Sequence, residues 1–283
     1  MLLGPDAEPV VSPSVDPLLV EARRILLVGL AALSGQQGAI TVIGAQAVFE
    51  HTRSTEGLPF TLTVDADTCV SPSLVRPDRD MANAMRAAGF VPSRDRPGIW
   101  GITGADGRII GFDLLVPETV AGPGRRGARV AGQDRHALGR AAGLELSLLD
   151  RELRTIAALD RTGRSVDAYL AGPAAIMCAK AYKLTERLSE ASRGGRNRVK
   201  AKDAGDVWRL MEISDAHLVR SVFAGAERSD HLGPAIARGR SYLDGLFSPD
   251  GLGTQLAATD LADQVGEDRV VASISRWMAH FRR

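Results

Sequence analysis

The stretch "TVIGAQAVFEHTRSTEGLPFTLTVDADTCV", residues 41–70, contains a predicted strand with two aspartates on one face. From Thr61 to Val70 apolar and polar residues alternate, which is typical of a strand with one buried face. Side chains two positions apart on a strand point to the same side, so Asp65 and Asp67 are expected to be neighbours. Aspartate is uncommon in strands. The pair can face solvent, or it can hold a cation.

The same stretch also predicts a short strand that runs into a helix through a glycine. "AITVIG" is typical of a buried strand, and "AQAVFEHT" is helical directly behind Gly44. A glycine here exposes the first backbone N–H groups of the helix and lets an anion approach them. Such turns are often purely structural, and this one gains interest because it precedes the aspartate strand.

The rest of the chain predicts an α/β (α+β) fold with a mixed sheet and a C-terminal helical domain. A helix begins at Pro17, and the segment "GIWGITGADGRIIGFDLLV" is typical of a hairpin. Three strand-like runs follow, "LELSLLD", "RTIAAL" and "SVDAYL", and the pattern is helical from Pro173 onwards. The expected division is a flexible tail at 1–15, a sheet-containing core at 16–171 and a helical domain at 172–283.

Composition excludes several classes of protein. The chain has 283 residues, is 45% hydrophobic and carries a formal net charge of +1, which argues against a protein that coats nucleic acid. Its two cysteines, Cys69 and Cys178, imply no disulfide framework. The N-terminus lacks the pattern of a signal peptide, and no apolar run approaches the roughly 20 residues of a membrane span. We expect a soluble, cytoplasmic protein with no membrane partner.

A third acid strengthens the case for a cation site. Asp113 stands between apolar residues in "RIIGFDLLV". If that strand pairs with the aspartate strand, three carboxylates meet on one face, because neighbouring strands lie about 4.8 Å apart. Such a cluster raises a carboxylate pKa unless a cation neutralises it. Hard oxygen ligands of this type suit Mg²⁺ or Mn²⁺.

Two charged residues in the helical part stand on apolar stripes. Lys180 has Ile176 and Leu184 one turn away, so its ammonium either lies at a solvated rim or reaches a phosphate group. Asp203 is followed at one-turn spacing by Val207 and needs a partner. Its place at the start of a helix also allows a simple capping role.

An arginine-rich connection separates the hairpin from the later strands. The segment "GPGRRGARVAGQDRHALGR" contains Arg125, Arg126 and Arg129. It can be a solvated loop, or it can bind RNA phosphates without reading sequence.

Taken in order, these motifs resemble the polymerase β-like nucleotidyltransferase superfamily, and in particular its AbiEii/MenT-type toxins. The resemblance covers about residues 40–212: Gly-Ala-x-Ala, the strand with Asp-x-Asp, a third Asp, and then "CAKAYKLTER" and "KAKDAGDVWRL". The family usually has Gly-Gly or Gly-Ser at the first motif, where this chain has Gly44 and Ala45.

The resemblance implies a role for each motif. Asp65, Asp67 and Asp113 would bind metal, Mg²⁺ or Mn²⁺, and Asp113 would also activate the attacking hydroxyl. Gly44, Ala45 and Lys180 would contact the nucleoside triphosphate (NTP). Asp203 would be the late acid that family members need for activity, with Asp206 structural.

The resemblance also implies a function. The protein would transfer a nucleotide from an NTP to RNA, the 3′ end of tRNA, as the toxin of a toxin–antitoxin system with a cognate antitoxin protein. Transfer to a small molecule or a protein, and a non-catalytic protein of the same fold, are the alternatives.

Overall fold

The computed structural model of the chain describes residues 16–59, 65–105, 107–160 and 162–283. The predicted tail at 1–15 and the first residues of the predicted aspartate strand, 61–64, lie outside these ranges.

Three α-helices and eight strands make up the described part of the chain to residue 171, and helices follow. The elements are α1 (Pro17–Ala32), β1 (Ile40–Ile43), α2 (Gly44–Thr52), β2 (Asp65–Val70), α3 (Met81–Ala87), β3 (Val91–Pro92), β4 (Ile99–Thr103), β5 (Ile109–Pro117), β6 (Gly139–Ala141), β7 (Arg151–Ala157), β8 (Ser165–Ala171), α4 (Pro173–Ser192), α5 (Ala201–Ile213), α6 (Ala216–Ala226), α7 (Gly233–Leu246), α8 (Leu252–Leu261) and α9 (Glu267–Phe281).

The eight strands form one mixed sheet. Seven of them lie in the order β3-β4-β5-β2-β1-β8-β7, and β6 pairs in parallel with the end of β5. Strand β2 pairs in parallel with β5 and antiparallel with β1, while β4 and β5 form the expected hairpin. The mixed α/β class and the C-terminal helical region are therefore confirmed.

Helix α1 covers one face of the sheet. Ala66 on β2 and Phe112 on β5 are fully buried on that face. A Cβ at Gly29 of α1 would lie only 2.2 Å from the Phe112 ring, so this glycine lets the helix approach the sheet closely. The opposite face of β2 carries Asp65 and Asp67, as the alternation predicts.

A buried arginine fixes α1 to α2. Arg23 is fully buried; its Nε donates to Gln46 Oε1 at 2.9 Å and its Nη1 forms an ion pair with Glu50. Nη1 also donates to the carbonyl of Ala157 on β7 at 3.0 Å. This network holds the start of α2 in place relative to the sheet.

One predicted strand is wrong. The run "LELSLLD" does not form a strand: Glu145–Leu148 is a short 3₁₀ helix. Its residues Glu145, Leu146 and Ser147 are all buried in succession, so the run packs on every side and has no strand-like pair of faces. The two runs after it form β7 and β8 as predicted.

The helical region shares its core with the sheet. One continuous cluster of buried apolar residues includes Leu170 on β8, Ile176 on α4 and Leu210 on α5. Within the part of the chain that the structure describes, no helix is long and apolar enough to cross a membrane.

Candidate active site

Three carboxylates lie together on one face of the sheet. Asp67 on β2 is the direct register partner of Asp113 on β5, and Asp65 is the partner of Gly111. The parallel pairing of β2 with β5 produces this arrangement, so the convergence expected for Asp65, Asp67 and Asp113 is confirmed.

Gly44 directly follows the last residue of β1 and lies beside these carboxylates. Its neighbour Ile43 is the register partner of Asp67, and Gly44 has a left-handed φ of +66°. A Cβ at Gly44 would stand 2.2 Å from Asp67 Oδ2, so only glycine fits. Helix α2 begins here with no side-chain cap, and Ala45 follows as a buried residue. The backbone N–H groups of the first turn therefore lie beside the carboxylates.

The electrostatics of the cluster oppose full ionisation. Burial, together with the charges of Asp67 and Asp65, raises the pKa of Asp113 to about 8. Burial also raises the pKa of Asp67, and the positive charge of Lys183 counteracts this while Asp65 adds to it. A cation is thus the natural counterpart of this site.

The donor set fits a hard divalent metal. All three side chains offer carboxylate oxygens, the donor type of Mg²⁺ and Mn²⁺ sites. A Cβ placed on Gly111 would lie 3.0 Å from Asp65 Oδ1 and 3.9 Å from Asp113 Oδ1, so both oxygens border the same open space. Across the described ranges, no three acidic, histidine or cysteine side chains already surround one metal position. Binding would therefore require the carboxylates to rotate towards the ion.

Lys180 lies in a buried ion-pair network. Its Nζ is 2.6 Å from Asp203 Oδ1 and 2.6 Å from Asp206 Oδ2. The side chains of the three residues are 6%, 1% and 0% exposed. The alternative that Lys180 lies at a solvated rim is therefore wrong. Arg209 extends the network, with Nη1 at 3.5 Å from both Asp206 Oδ1 and Asp260 Oδ2.

Asp203 is surrounded by cations. Besides Lys180 it contacts Lys183 Nζ at 3.2 Å and Arg187 Nη1 at 3.0 Å. Burial alone would raise the pKa of Asp203, but the charges of Lys180 and Lys183 hold it well below its usual range. Its side chain thus ties α5 to α4 through ion pairs.

Of the two lysines, Lys183 has the larger electrostatic effect on the pKa of Asp67. Its side chain is 41% exposed, whereas that of Lys180 is 6% exposed. Burial and the nearby charge of Lys180 lower its pKa, while Asp203 and Asp67 act in the opposite direction. Lys183 therefore presents a cation, oriented by Asp203, within electrostatic reach of Asp67.

The arginine-rich connection is an ordered loop. Arg125, Arg126 and Arg129 are exposed. The loop is closed by a bridge between Gly127 and Gly139, and the guanidinium of Arg140 donates to the carbonyl oxygen of Gly122. Arg125, Arg126 and Arg129 give the first part of the loop a basic surface, and we call this part, residues 125–129, the arginine loop.

The sequence matches no protein-family model, and comparison with curated proteins finds no match either.

Sequence reasoning overlooked three groups beside the carboxylates. They are Lys183, Gly111 and Arg96. The positive charge of Arg96 lowers the pKa of Asp113. The pairing of Asp65 with Gly111 follows from the strand register, which local sequence patterns do not encode. Lys183 was recognisable only as a second lysine on the same helix as Lys180.

Proposed function

We propose that the protein is a metal-dependent nucleotidyltransferase that transfers a nucleotide from an NTP to RNA. The observation that carries the proposal is the placement of Asp65, Asp67 and Asp113 on one sheet face beside the helix start at Gly44. Carboxylates alone need a cation, and a helix start alone binds an anion. Together they suit a metal-bound triphosphate.

Each group of the chain has a role in this reaction. The first N–H groups of α2 would bind phosphate oxygens, with Gly44 allowing the close approach. Asp113 would orient the acceptor hydroxyl and accept its proton. A bound Mg²⁺ or Mn²⁺ would neutralise charge on the phosphates and on the departing pyrophosphate.

The contacts favour Lys183 as the lysine that touches the triphosphate. The family resemblance assigns this role to Lys180, but both carboxylates near Lys180 already engage its ammonium at 2.6 Å. Lys183 is more exposed, and its charge lowers the pKa of Asp67 more than that of Lys180 does. Lys180 is then a positioning residue, which fixes Asp203 so that Asp203 can orient Lys183.

The acceptor in this proposal is RNA, with the 3′ end of tRNA as the specific case. The support is the exposed arginine loop, whose positive charges suit a phosphate backbone. Interruption of tRNA function would make the protein a toxin, held in check by a cognate antitoxin protein.

The direct test incubates the protein with each labelled NTP, Mg²⁺ and total RNA. Label on RNA is expected, and on tRNA in particular. Label on protein or on a small metabolite would replace the acceptor assignment, and no turnover with any NTP would refute the enzymatic proposal.

A matched pair of variants makes this test specific. Asp67→Asn should abolish transfer. Asp167→Asn changes an exposed aspartate on β8 of the same sheet and should leave transfer intact. Full activity in Asp67→Asn would remove the acidic cluster from the mechanism. For the toxin role, induced expression of the wild type should arrest growth and that of Asp67→Asn should not.

A further inference from the structure

A trough opens on the sheet directly beside the acidic cluster. It has a volume of about 570 Å³, within the range of ordinary ligand sites, and Asp65 and Asp113 stand at one end of it. The arginine loop and α4 take no part in its lining, which comes from β3, β4, β5, the segments before β3 and β4, and Asp65 at the start of β2.

The floor of the trough is bare backbone. Val91, Gly101, Gly111 and Asp65 are successive register partners across β3, β4, β5 and β2. Side chains in such a row point to the same face, so the two glycines leave a flat gap between Val91 and Asp65. Both glycines have backbone conformations that other residues adopt, but a Cβ at Gly101 would lie 2.8 Å from Ile109 Cγ2 and one at Gly111 would lie 3.0 Å from Asp65 Oδ1, so the two glycines leave room for these neighbouring side chains at the edges of the floor.

Two of the side chains that line the trough are exposed and apolar. Val91 is 68% exposed and Ile109 is 78% exposed, although both are large hydrophobic residues. Ile109 lies two positions from Gly111 and therefore on the same face. Two exposed aliphatic side chains beside a flat backbone floor suit a planar ring that packs by its faces.

The direction of the chemistry identifies which substrate lies here. Gly44 and the start of α2 adjoin β2 on its β1 side, whereas the trough adjoins β2 on its β5 side. In a phosphoryl transfer the attacking and leaving oxygens are roughly in line, on opposite sides of phosphorus. If the triphosphate lies at α2, the attacking hydroxyl arrives from the trough. This step rests on the proposed function.

The trough continues towards the arginine loop. Gly98 N donates to the carbonyl of His136 at 2.9 Å, and Trp100 Nε1 donates to the carbonyl of Ala137 at 3.0 Å. His136 also contacts the carbonyl of Ser93, which lines the trough. The segment that follows the arginine loop is thus anchored to the wall that carries Arg96, a basic side chain that lines the trough itself.

We propose that the trough binds the 3′-terminal nucleoside of the RNA acceptor. Its base lies on Gly101 and Gly111 between Val91 and Ile109, and its ribose hydroxyl faces Asp113. The phosphates that precede it run past Arg96 to the arginine loop. A polynucleotide fits better than a small molecule because the basic surface extends beyond the trough.

The test uses Gly101→Val, which fills the floor. A Cβ at Gly101 would lie 2.8 Å from Ile109 Cγ2 and 3.9 Å from the carbonyl oxygen of Ile110, so Gly101→Val also displaces the Ile109 side chain, which is 78% exposed and can turn towards solvent. The probe is a short single-stranded RNA with 2-aminopurine at its 3′ end, and a second RNA carries the same base internally. Wild-type protein should raise the emission of the terminal probe, because the base leaves its neighbour for an aliphatic surface, and should leave the internal probe nearly unchanged.

Gly101→Val should weaken binding of the terminal probe and raise the KM for RNA, each by about tenfold, the scale of one lost base contact. The KM for NTP should stay within about twofold of wild type, because the substitution removes no contact to the NTP. Loss of such a contact would change this KM by about tenfold. Ile109→Ser provides a second variant with little effect on folding, and Leu153→Ser, exposed on β7, is its matched control.

Each outcome decides between the assignments. If Gly101→Val loses binding of the terminal probe but wild type turns over no NTP, the trough still binds the terminal nucleoside and the proposed function is refuted. If wild type modifies RNA and both Gly101→Val and Ile109→Ser keep the wild-type KM for RNA, the assignment of the trough to the acceptor nucleoside is overturned. A rise in the KM for NTP alone would show that the trough holds the base of the NTP, which also overturns this inference.

Discussion

Replacement of Lys180 by Met should strongly destabilise the protein. The substitution keeps most of the aliphatic stem but leaves Asp203 and Asp206, 1% and 0% exposed, without the ammonium that lies 2.6 Å from each. Removing one partner of a buried ion pair costs about 3–5 kcal/mol, because the remaining charge is buried without compensation.

The structure places the cost at the lower end of this range. Asp203 keeps Lys183 and Arg187, at 3.2 and 3.0 Å. Asp206 keeps Arg209 at 3.5 Å and the nearby charge of Lys202, and its Oδ1 makes no hydrogen bond with any described residue. We therefore expect a loss of about 3 kcal/mol, which corresponds to a decrease in Tm of roughly 6–12 °C for a chain of this size class.

The measurement is urea and thermal unfolding, followed by circular dichroism in buffer with EDTA. Lys183→Met is the matched control on the same helix. It should cost less than about 1 kcal/mol, since a 41% exposed side chain forms a weak ion pair. Lys180→Met combined with Asp206→Asn should recover part of the loss by removing the uncompensated charge. A Tm for Lys180→Met within 2 °C or so of wild type would refute the network as a source of stability.

The difference in stability between wild type and Lys180→Met should depend on pH, because the pKa of Asp203 is lowered in the folded protein. Lys180 and Lys183 depress it in the folded state, so its stabilising contribution is complete above the unfolded-state pKa of about 3.9. The contribution is lost as the pH falls through the folded-state pKa. The stability gap between wild type and Lys180→Met should therefore be steady near neutral pH and narrow below about pH 4.

Three further predictions concern the acidic cluster and the arginine loop. Burial and its acidic neighbours raise the pKa of Asp113 to about 8, so metal-free wild type should lose stability as the pH rises from about 4 through 8. Asp113→Asn should therefore melt at a higher temperature than wild type at pH 9 and at the same temperature near pH 4. An equal difference in Tm at pH 4 and at pH 9 would contradict this. Gly44→Ala places a Cβ 2.2 Å from Asp67 Oδ2 at a position with a left-handed φ, so it should lower the free energy of unfolding in urea by about 1–3 kcal/mol and reduce nucleotide transfer. A variant as stable as wild type would show that the turn is not constrained. Arg125→Ala with Arg126→Ala should lower the slope of log K for RNA against log salt by about 0.7 per lost contact in filter binding, with NTP binding unchanged; a fall in NTP affinity instead would place the arginine loop at the nucleotide.

Local patterns of the sequence determined the elements and part of the site. The period of two places Asp65 and Asp67 on one face wherever β2 lies in the sheet, because alternation is a property of the strand itself. Likewise, the apolar stripe and the initial proline predict α4, and a glycine between strand and helix predicts the turn at Gly44. The same local reasoning failed at Glu145–Leu148, where burial on every side removes the periodic signal.

Only the tertiary structure decided how these parts meet. That β5 lies beside β2, and so brings Asp113 opposite Asp67, depends on strand order, which results from packing between residues far apart in the chain. The environments of Lys180 and Lys183 differ for the same reason: both lie on α4, but Lys180 contacts two buried carboxylates of α5, whereas Lys183 contacts one of them, Asp203, and stays partly exposed. The trough exists because Gly101 and Gly111 come into register on neighbouring strands, a coincidence of two separate glycines that no local pattern contains.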